Sequence, residues 1–251
     1  MRTLFFLIAV ALPIPAFADE FNLAAPESVS QLEPVHVWAT QYYDHAAKAN
    51  EGAGSVALRD KDGHDLGVSL SKKDWCNAAM EGTVIVTAGS QVRAFNAGGL
   101  GAEDQTDCGD VFPKVSDRTK ANIRKQRFFE LEAKDKFGMG GTDKYRLIPY
   151  RSIAVDRDTI PWGTALFIPR LKGARITLPD GSTAVHDGYV YAVDRGSEIN
   201  GSHIDFFTGV NRVNPAPGVI TSTPKRGFVA YIVKDDSVVS TLRSQHVRYG
   251  D

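Results

Sequence analysis

The sequence has little cysteine and no excess of positive charge, and both shortages exclude classes of function. Its two cysteines, Cys76 and Cys108, show no CxxC or Cys/His spacing of the kind that binds zinc, so we predict neither a metal nor a cofactor. Segment 60–65, DKDGHD, resembles the start of a calcium loop, but Ser71 stands where the bidentate Glu belongs, which favours a plain turn. Lys and Arg number 29 against 30 Asp and Glu, a balance that does not indicate nucleic-acid binding.

The chain also lacks an apolar run of the roughly 20 residues needed to cross a bilayer. A shorter run opens the sequence: Arg2 is followed by apolar residues 4–12 and by Ala-Phe-Ala at 16–18. A charged start, a short apolar centre and a small-x-small site are typical of a signal peptide, here residues 1–18. We expect cleavage before Asp19, with no stable membrane insertion, because no cysteine follows the cut to carry a lipid.

Export limits what the rest of the chain can be. Removal of the leader takes away Arg2 and no acid, so the formal charge becomes 28 − 30, or −2. The remaining residues can bury one large core or two small ones. In the oxidising periplasm, or outside the cell, Cys76 and Cys108 are expected to form one disulfide; two buried free thiols are the alternative.

Periodicity predicts more strands than helices. Residues 19–34 lack periodicity and are interpreted as a linker, whereas residues 35–43 alternate and predict a strand. Downstream of them, the sequence predicts a hairpin about Asp62-Gly63, a short helix between Ser71 and Gly82, a strand at 83–88, a long helix at 117–137 and four further strands that end with 227–236.

Short strands joined by Gly and Pro turns indicate a mainly β fold with a closed or nearly closed barrel. Region 44–144 is too long to be a loop of a compact domain. We therefore expect the barrel to span 35–251, interrupted by an inserted α+β region at 44–144 with its own small core and the disulfide.

Three aspartates occupy similar positions near strand ends. Asp156 ends SIAVD, Asp194 ends YVYAVD, and Asp205 follows GSHI. Strand ends of a small barrel share a rim, so the three carboxylates are expected to converge there, and their mutual repulsion raises the pKa of at least one. A carboxyl group protonated near neutral pH can donate a proton to a glycosidic oxygen. Each aspartate alone is also compatible with an ordinary turn.

Segments 150–169 and 192–209 closely resemble the three-aspartate (3D) domain that membrane-bound lytic transglycosylase A shares with smaller cell-wall enzymes. The family pattern is a strand ending in Asp, then Ile-Pro-x-Gly-Thr, then Asp-x-Gly-x-x-Ile-x-Gly-x-x-(Ile/Phe)-Asp. The positions that fit it are Asp156, Ile160, Pro161, Gly163, Thr164, Asp194, Gly196, Ile199, Gly201, Ile204 and Asp205. WATQYY at 38–43 looks like the family's first barrel strand.

The resemblance implies a six-stranded double-psi β-barrel and a peptidoglycan lytic transglycosylase. By this resemblance Asp205 protonates the oxygen that links N-acetylmuramic acid to N-acetylglucosamine, and then accepts the proton of the muramic C6 hydroxyl. The product is a 1,6-anhydro sugar, so no second carboxylate is needed as base or nucleophile, unlike in ordinary glycosidases. Asp194 and Asp156 then tune and orient Asp205.

Five other side chains are candidates for substrate binding. Thr40 and Tyr42 match the family's site residues near the first strand, and Tyr42 and Trp162 could stack on sugar. Arg195 could meet a substrate carboxylate, and His203 falls on the same side of an extended segment as Asp205. A surface ion pair explains Arg195 and a structural histidine explains His203 equally well, while aromatic side chains of a small barrel, such as Tyr42 and Trp162, more often belong to its core.

The loop after Asp194 departs from the family, which often reads Asp-x-Gly-Gly-Ala-Ile-Lys-Gly. This chain has Ser197, Glu198 and Asn200 instead, which puts the sugar contacts in question. Two alternatives to the lytic enzyme remain: a wall-binding or wall-loosening module of the expansin type, and a hydrolase in which Asp205 works with Asp194 or Glu198 as an acid and base pair.

Overall fold

A computed structural model describes residues 21–132, 137–140, 145–179, 181–210, 214 and 216–248. The predicted signal peptide and its cleavage site lie outside these ranges. Within them, no helix has the length and apolarity needed to cross a membrane.

Six strands close into a barrel, as the sequence predicted. In spatial order they are β1 (Glu33–Tyr42), β15 (His203–Phe207), β10 (Ser152–Val155), β14 (Tyr189–Asp194), β11 (Ala165–Phe167) and β16 (Phe228–Val233), and β16 pairs with β1 to complete the ring. The pairs β1–β15 and β10–β14 are parallel and the other four are antiparallel.

Alternation along the strands separates two apolar layers. Val37 and Ala39 of β1 share the interior core with Ile204 and Phe206 of β15, and every barrel strand contributes to that core. Intervening residues such as Phe207 join a second cluster outside the barrel. The strands β14 and β16 are apolar on both faces because both of their faces are covered by other parts of the protein.

The region between β1 and β10 contains a separate α+β unit, here called the inserted unit (residues 45–130). Its sheet has the order β2 (His45–Lys48), β5 (Thr83–Ala88), β6 (Gln91–Leu100) and β7 (Gln126–Glu130), beside the hairpin β3 (Val56–Arg59) and β4 (Asp65–Leu70), and the helices α1 (Lys72–Glu81) and α2 (Asp117–Arg124). The unit has its own core around Trp75 and Phe95. Cys76 and Cys108 form the predicted disulfide inside it.

Short paired strands complete the sheet structure. β8 (Met139–Gly140) pairs with β9 (Tyr145–Arg146), and β12 (Arg175–Thr177) pairs with β13 (Thr183–Val185).

The predicted long helix at 117–137 is wrong beyond Arg124 among the described residues; its segment 133–136 lies outside them. The helix α2 ends at Arg124, and residues 126–130 form β7, which pairs with β6. Strand formation buries Phe128 in the core of the inserted unit and lets the Arg127 guanidinium donate to the backbone carbonyls of Lys125, Gln126 and Glu103. Tertiary pairing therefore overrode the local helical pattern.

A C-terminal helix was missed by the sequence analysis. The helix α3 (Asp236–Gln245) begins after Asp235, whose carboxylate accepts from the N–H groups of Ser237 and Val238. Leu242 is fully buried against the outer face of the barrel. An Asp N-cap followed by apolar residues at helical spacing predicts a helix. The helix was missed because this pattern directly follows a strong strand pattern.

Residues 21–32, part of the predicted linker, lie against the barrel instead of spanning solvent. Phe21 is 7% exposed and packs on His186, and the Leu23 N–H donates to Asp187 Oδ2 at 3.1 Å. Beneath this segment Asp187 pairs in a bidentate manner with the fully buried Arg151, at 2.7 and 3.0 Å. Burial and the Arg151 charge lower the pKa of His186 to about 4, so Arg151 is the cation of this cluster at neutral pH.

Candidate active site

Parallel pairing of β1 with β15 builds the centre of the site. The register sets Trp38 opposite His203 and Thr40 opposite Asp205. Because Val37, Ala39, Ile204 and Phe206 point into the barrel, these alternate side chains lie on its outer face. Asp205 therefore lies in the middle of β15 rather than on the rim that the sequence suggested.

Asp205 is held by a short chain of hydrogen bonds. The Thr40 hydroxyl donates to Asp205 Oδ1 at 2.6 Å and is 2.8 Å from His203 Nε2. The donor in the contact between the Thr40 hydroxyl and His203 Nε2 is set by the tautomer of the imidazole. The His203 ring is stacked on Trp38, with ring centroids 3.6 Å apart, which fixes the imidazole.

The surroundings of Asp205 favour its protonated form. The pKa of Asp205 is raised to about 7; burial is the largest cause, the negative charges of Glu81 and Asp194 add to the rise, and the hydrogen bond from Thr40 opposes it. At neutral pH about half of the molecules therefore hold a proton on this carboxyl group.

Asp194, at the end of β14, is held by three neighbouring groups. The Tyr42 hydroxyl donates to Oδ2 at 2.7 Å and the Arg195 N–H donates to Oδ1 at 2.7 Å. Burial, and then the charge of Asp194, raise the pKa of Tyr42 well above its usual value, so the phenol remains a donor. Gly140 packs directly on this carboxylate, since a Cβ there would lie 2.6 Å from Asp194 Cβ.

Asp156 has a different environment from the other two aspartates. Its Oδ2 accepts from the Gly201 N–H at 2.8 Å and its Oδ1 from the Asp158 N–H at 3.1 Å. These bonds, the one from Gly201 foremost, lower the pKa of Asp156. Asp156 thus fixes the loop between β14 and β15, and the charges that act on Asp205 are those of Asp194 and Glu81.

Glu81 and Asp44 are site residues that the sequence analysis did not identify. Glu81 is the last residue of α1, and its Oε2 accepts from the Tyr43 N–H at 3.4 Å. Burial, and then the charge of Glu81, raise the pKa of Asp44 well above its usual value. A Glu before the Gly that ends a helix is a common surface feature, so nothing local marked Glu81 as part of a site.

A groove of about 630 Å³ runs between the barrel and the inserted unit; Asp194 lines it, whereas Asp205 is not one of its lining residues. The barrel side contributes Tyr42, Asp194 and Arg195, and the inserted unit contributes Glu81 and Gln126. The volume is that of a small-molecule or oligomer site, and its walls mix polar with apolar groups.

Glu198 joins the two walls of the groove. Its Oε1 accepts from the Thr119 hydroxyl at 2.6 Å and from the Ser116 hydroxyl at 2.9 Å, both at the start of α2. These bonds lower the pKa of Glu198. The departure from the family pattern noted in the sequence is therefore a contact between the barrel loop and the inserted unit, which commits the Glu198 carboxylate away from Asp205.

Replacing Glu198 with Gln is expected to weaken this contact by up to about 1 kcal/mol at pH 7, since the carboxylate is exposed and its charge is screened. A carboxyl group with a lowered folded pKa stabilises the protein above its unfolded value, 4.5, and that stability is lost as the pH falls through the folded value. Urea unfolding should therefore separate variant and parent at pH 7 but not in strong acid. Glu51→Gln, in an exposed turn, is the matched control; an equal loss in both variants would refute the contact's role.

The other predicted site residues differ in their contacts and in their exposure. Trp162 donates through Nε1 to the Asp194 carbonyl at 3.0 Å, so its indole is anchored rather than free to stack on sugar at both faces. Tyr42 lines the groove, but its hydroxyl is engaged by Asp194 and its ring packs on Phe207. Arg195 is exposed at the groove wall. Desolvation lowers the pKa of His203, which favours the neutral imidazole.

With the geometry described, the chain can be compared with known proteins. Residues 151–223 match the family model of the 3D domain. The resemblance seen in the sequence is thereby confirmed for the part of the chain that contains Asp156, Asp194 and Asp205. The 3D match does not include Thr40, Tyr42 or Glu81, which belong to β1 and the inserted unit.

Among the solved structures that are similar to this chain, the first described below has the same fold. The membrane-bound lytic murein transglycosylase of Agrobacterium tumefaciens is similar with a TM-score of 0.50 at 14% identity, covering 84% of this chain and 78% of that one. MltA of E. coli with bound chitohexaose has a TM-score of 0.49 at 16% identity, covering 79% and 72%. No curated protein sequence matches this chain. At such identities the likeness shows the fold, while the chemistry has to be argued from the site.

Proposed function

We propose that the protein is a peptidoglycan lytic transglycosylase that cleaves the β-1,4 bond between N-acetylmuramic acid and N-acetylglucosamine and forms a 1,6-anhydro muramic end. The observation that carries the proposal is a single carboxyl group, Asp205, with a pKa raised to about 7, opposite Thr40 on the barrel face that also carries Tyr42, which lines the groove of about 630 Å³. The 3D match and the fold shared with a murein transglycosylase support it.

In the first step Asp205 is the general acid. Its proton moves to the glycosidic oxygen as the bond from C1 of the muramic residue to that oxygen breaks, and positive charge develops at C1. Thr40 keeps Asp205 Oδ1 oriented through its hydrogen bond, so the proton-bearing oxygen is directed away from Thr40. Asp194, held by Tyr42 and the Arg195 N–H, provides negative charge near the developing cation.

In the second step Asp205, now a carboxylate, is the base. It accepts the proton of the C6 hydroxyl as that oxygen attacks C1, which closes the anhydro ring and restores the protonated acid. One group with a pKa near neutral can perform both steps, since it releases and regains a proton with similar ease. No water molecule is consumed in the two steps.

The hydrolase alternative with Glu198 as a second acid is disfavoured by geometry. The Glu198 carboxylate is bound by the Ser116 and Thr119 hydroxyls at the start of α2, so its position is taken up by that contact and it is not the base of a pair with Asp205. Arg195, which lines the groove, and Trp162, which contacts the Asp194 backbone, are proposed to bind substrate, and Asp156 is proposed to hold the loop that carries Arg195 and Glu198. We further propose that residues 1–18 are removed on export and that the enzyme works where peptidoglycan is exposed, in the periplasm or outside the cell.

Products identify the reaction directly. Purified sacculi are incubated with the mature protein, and the released muropeptides are identified by mass. Anhydro-muropeptides support the proposal, since a molecule of water is missing from each new end. Reducing ends mean a hydrolase, and wall that is bound but uncut means a binding module; either result overturns the proposal.

A further inference from the structure

Trp38 lies on the outer face of the barrel, in the same row as the residues that hold two of the aspartates. Side chains two positions apart on β1 share a face, so Trp38, Thr40 and Tyr42 follow one another at intervals of about 7 Å. Thr40 donates to Asp205 and Tyr42 donates to Asp194. The row therefore leads from Asp194 past Asp205 to Trp38, with the proposed acid in the middle.

Trp38 differs from the other tryptophans because it does not help to build a core. Its side chain is half-buried and belongs to none of the four apolar clusters that the described residues form. Trp75, in contrast, lies in the core of the inserted unit, and Trp162 packs against the barrel core. A large aromatic ring that stays partly in water is typical of a binding surface, where it offers an apolar face together with an N–H donor.

His203 fixes the orientation of the Trp38 ring. The two rings are nearly parallel, with an angle of 7° between their planes, and their centroids are 3.6 Å apart. The imidazole thus covers one face of the indole, and the exposed part of Trp38 belongs to the opposite face and to the ring edge. His203 itself is buried, and its Nε2 is 2.8 Å from the Thr40 hydroxyl that donates to Asp205. Direct contacts therefore join the acid to a flat ring of fixed orientation, as a precise binding site requires.

We propose that Trp38 is the platform for the sugar on the leaving side of the scissile bond, N-acetylglucosamine, and that His203 is a positioning residue beneath it. The identity of the sugar rests on the proposed function. A glycosidic bond at Asp205 has one sugar ring on each side. Asp194, assigned to the developing cation, marks the muramic side, which continues into the groove through Tyr42. The other direction along the row leads to Trp38.

The chemistry of the leaving sugar suits this ring. In a β-linked N-acetylglucosamine the ring substituents are equatorial, so the axial C–H groups form flat apolar faces. Such a face packs on an aromatic ring, because its C–H groups meet the negative face of the π system. The muramic residue carries a lactyl group in addition, whereas N-acetylglucosamine has none, so nothing keeps it from lying flat on the indole.

Binding can be measured apart from cleavage. The probe is a soluble β-1,4 oligomer of N-acetylglucosamine, long enough to cover both sides of residue 205, and all variants are made in the Asp205→Asn background. Trp38→Leu keeps apolar bulk over His203 but has no ring, and we expect calorimetry to show binding weakened by about 3- to 10-fold, the size of one aromatic contact. Trp38→Phe should keep most of the affinity. Tyr231→Ala removes another half-buried ring, from the outer face of the neighbouring strand β16, and should leave the affinity unchanged.

Steady-state kinetics on soluble glycan strands, with Asp205 intact, give the second readout. Loss of the platform should raise KM more than it lowers kcat. If Trp38 only supported His203 and the acid, Trp38→Leu would lower kcat and leave both KM and the affinity for the oligomer unchanged, and this result would overturn the inference. Equal loss of affinity in Trp38→Phe and Trp38→Leu, or an Asp205→Asn protein that does not bind the oligomer, would also overturn it.

The two proposals can fail separately. A parent protein that binds the oligomer but releases no anhydro-muropeptides contradicts the proposed function, while weaker binding in Trp38→Leu still supports the platform. A parent protein that releases anhydro-muropeptides, with the affinity and KM unchanged in Trp38→Leu, contradicts the platform alone.

Discussion

Asp205→Asn is expected to reduce turnover of peptidoglycan by about 10²- to 10⁴-fold, the contribution that a positioned general acid makes. Asn has nearly the same shape as Asp, and its Oδ1 can still accept from the Thr40 hydroxyl, so the hydrogen bond at 2.6 Å in the parent protein persists. What it lacks is a proton that can be transferred and regained. Initial rates of anhydro-muropeptide release from sacculi measure the loss.

A second measurement separates lost chemistry from lost structure. The pKa of Asp205 is raised from 3.8 to about 7 on folding, so the native state binds its proton more tightly and the stability contributed by this group declines as pH rises from about 4 to 7. Asn cannot ionise. Asp205→Asn should therefore be more stable than the parent at pH 8, with the difference vanishing near pH 4.

The control for this variant is Asp62→Asn, in the exposed turn between β3 and β4, where Asn-Gly suits the turn as well as Asp-Gly does. It should keep full activity. A folded Asp205→Asn protein with the activity of the parent would refute Asp205 as the general acid. An Asp205→Asn protein less stable than the parent at pH 8 would refute the raised pKa of Asp205.

Asp187→Ala is expected to destabilise the protein by about 3 to 5 kcal/mol, because it leaves a buried guanidinium without its carboxylate. Arg151 is fully buried, and Asp187 is its bidentate partner. The same carboxylate accepts from the N–H groups of Leu23 and Tyr189, so the substitution also releases the N-terminal segment. Urea unfolding followed by fluorescence measures the loss.

A surface ion pair supplies the comparison. Glu33 and Lys234 form an exposed pair at 2.9 Å, and Glu33→Ala should cost less than about 1 kcal/mol. Equal losses in the two variants would show that the buried pair contributes no more than an exposed one. Loss of only the N-terminal contacts, with global stability unchanged, would also contradict the prediction.

Much of this site could be predicted because its signals lie close together in sequence. Asp194, Gly201 and Asp205 form one short pattern, and the alternation of β1 placed Thr40 and Tyr42 on one face. Capping signals at Ser71 and Gly82 also gave α1 its correct ends, because they act through local backbone bonds.

Other features depended on contacts that no local pattern reports. Residues 126–130 became strand only because β6 was there to pair with them. Phe21 is buried because Arg151 and His186 lie beneath it, a setting invisible from its own neighbours in sequence. The packing of the inserted unit places Glu81 in the groove. Asp156 accepts a hydrogen bond from the Gly201 N–H and so fixes the loop between β14 and β15.

Because β1 pairs with β15, the oriented proton donor exists only after both strands have been synthesised. Thr40 and Asp205 are separated by 165 positions, so the hydroxyl that orients the acid emerges from the ribosome long before the acid itself. Contacts this distant along a chain form late in folding. Under the proposed function, a polypeptide that is still being synthesised therefore lacks the oriented acid, and its capacity to cut polymer arises only when β1 and β15 have paired.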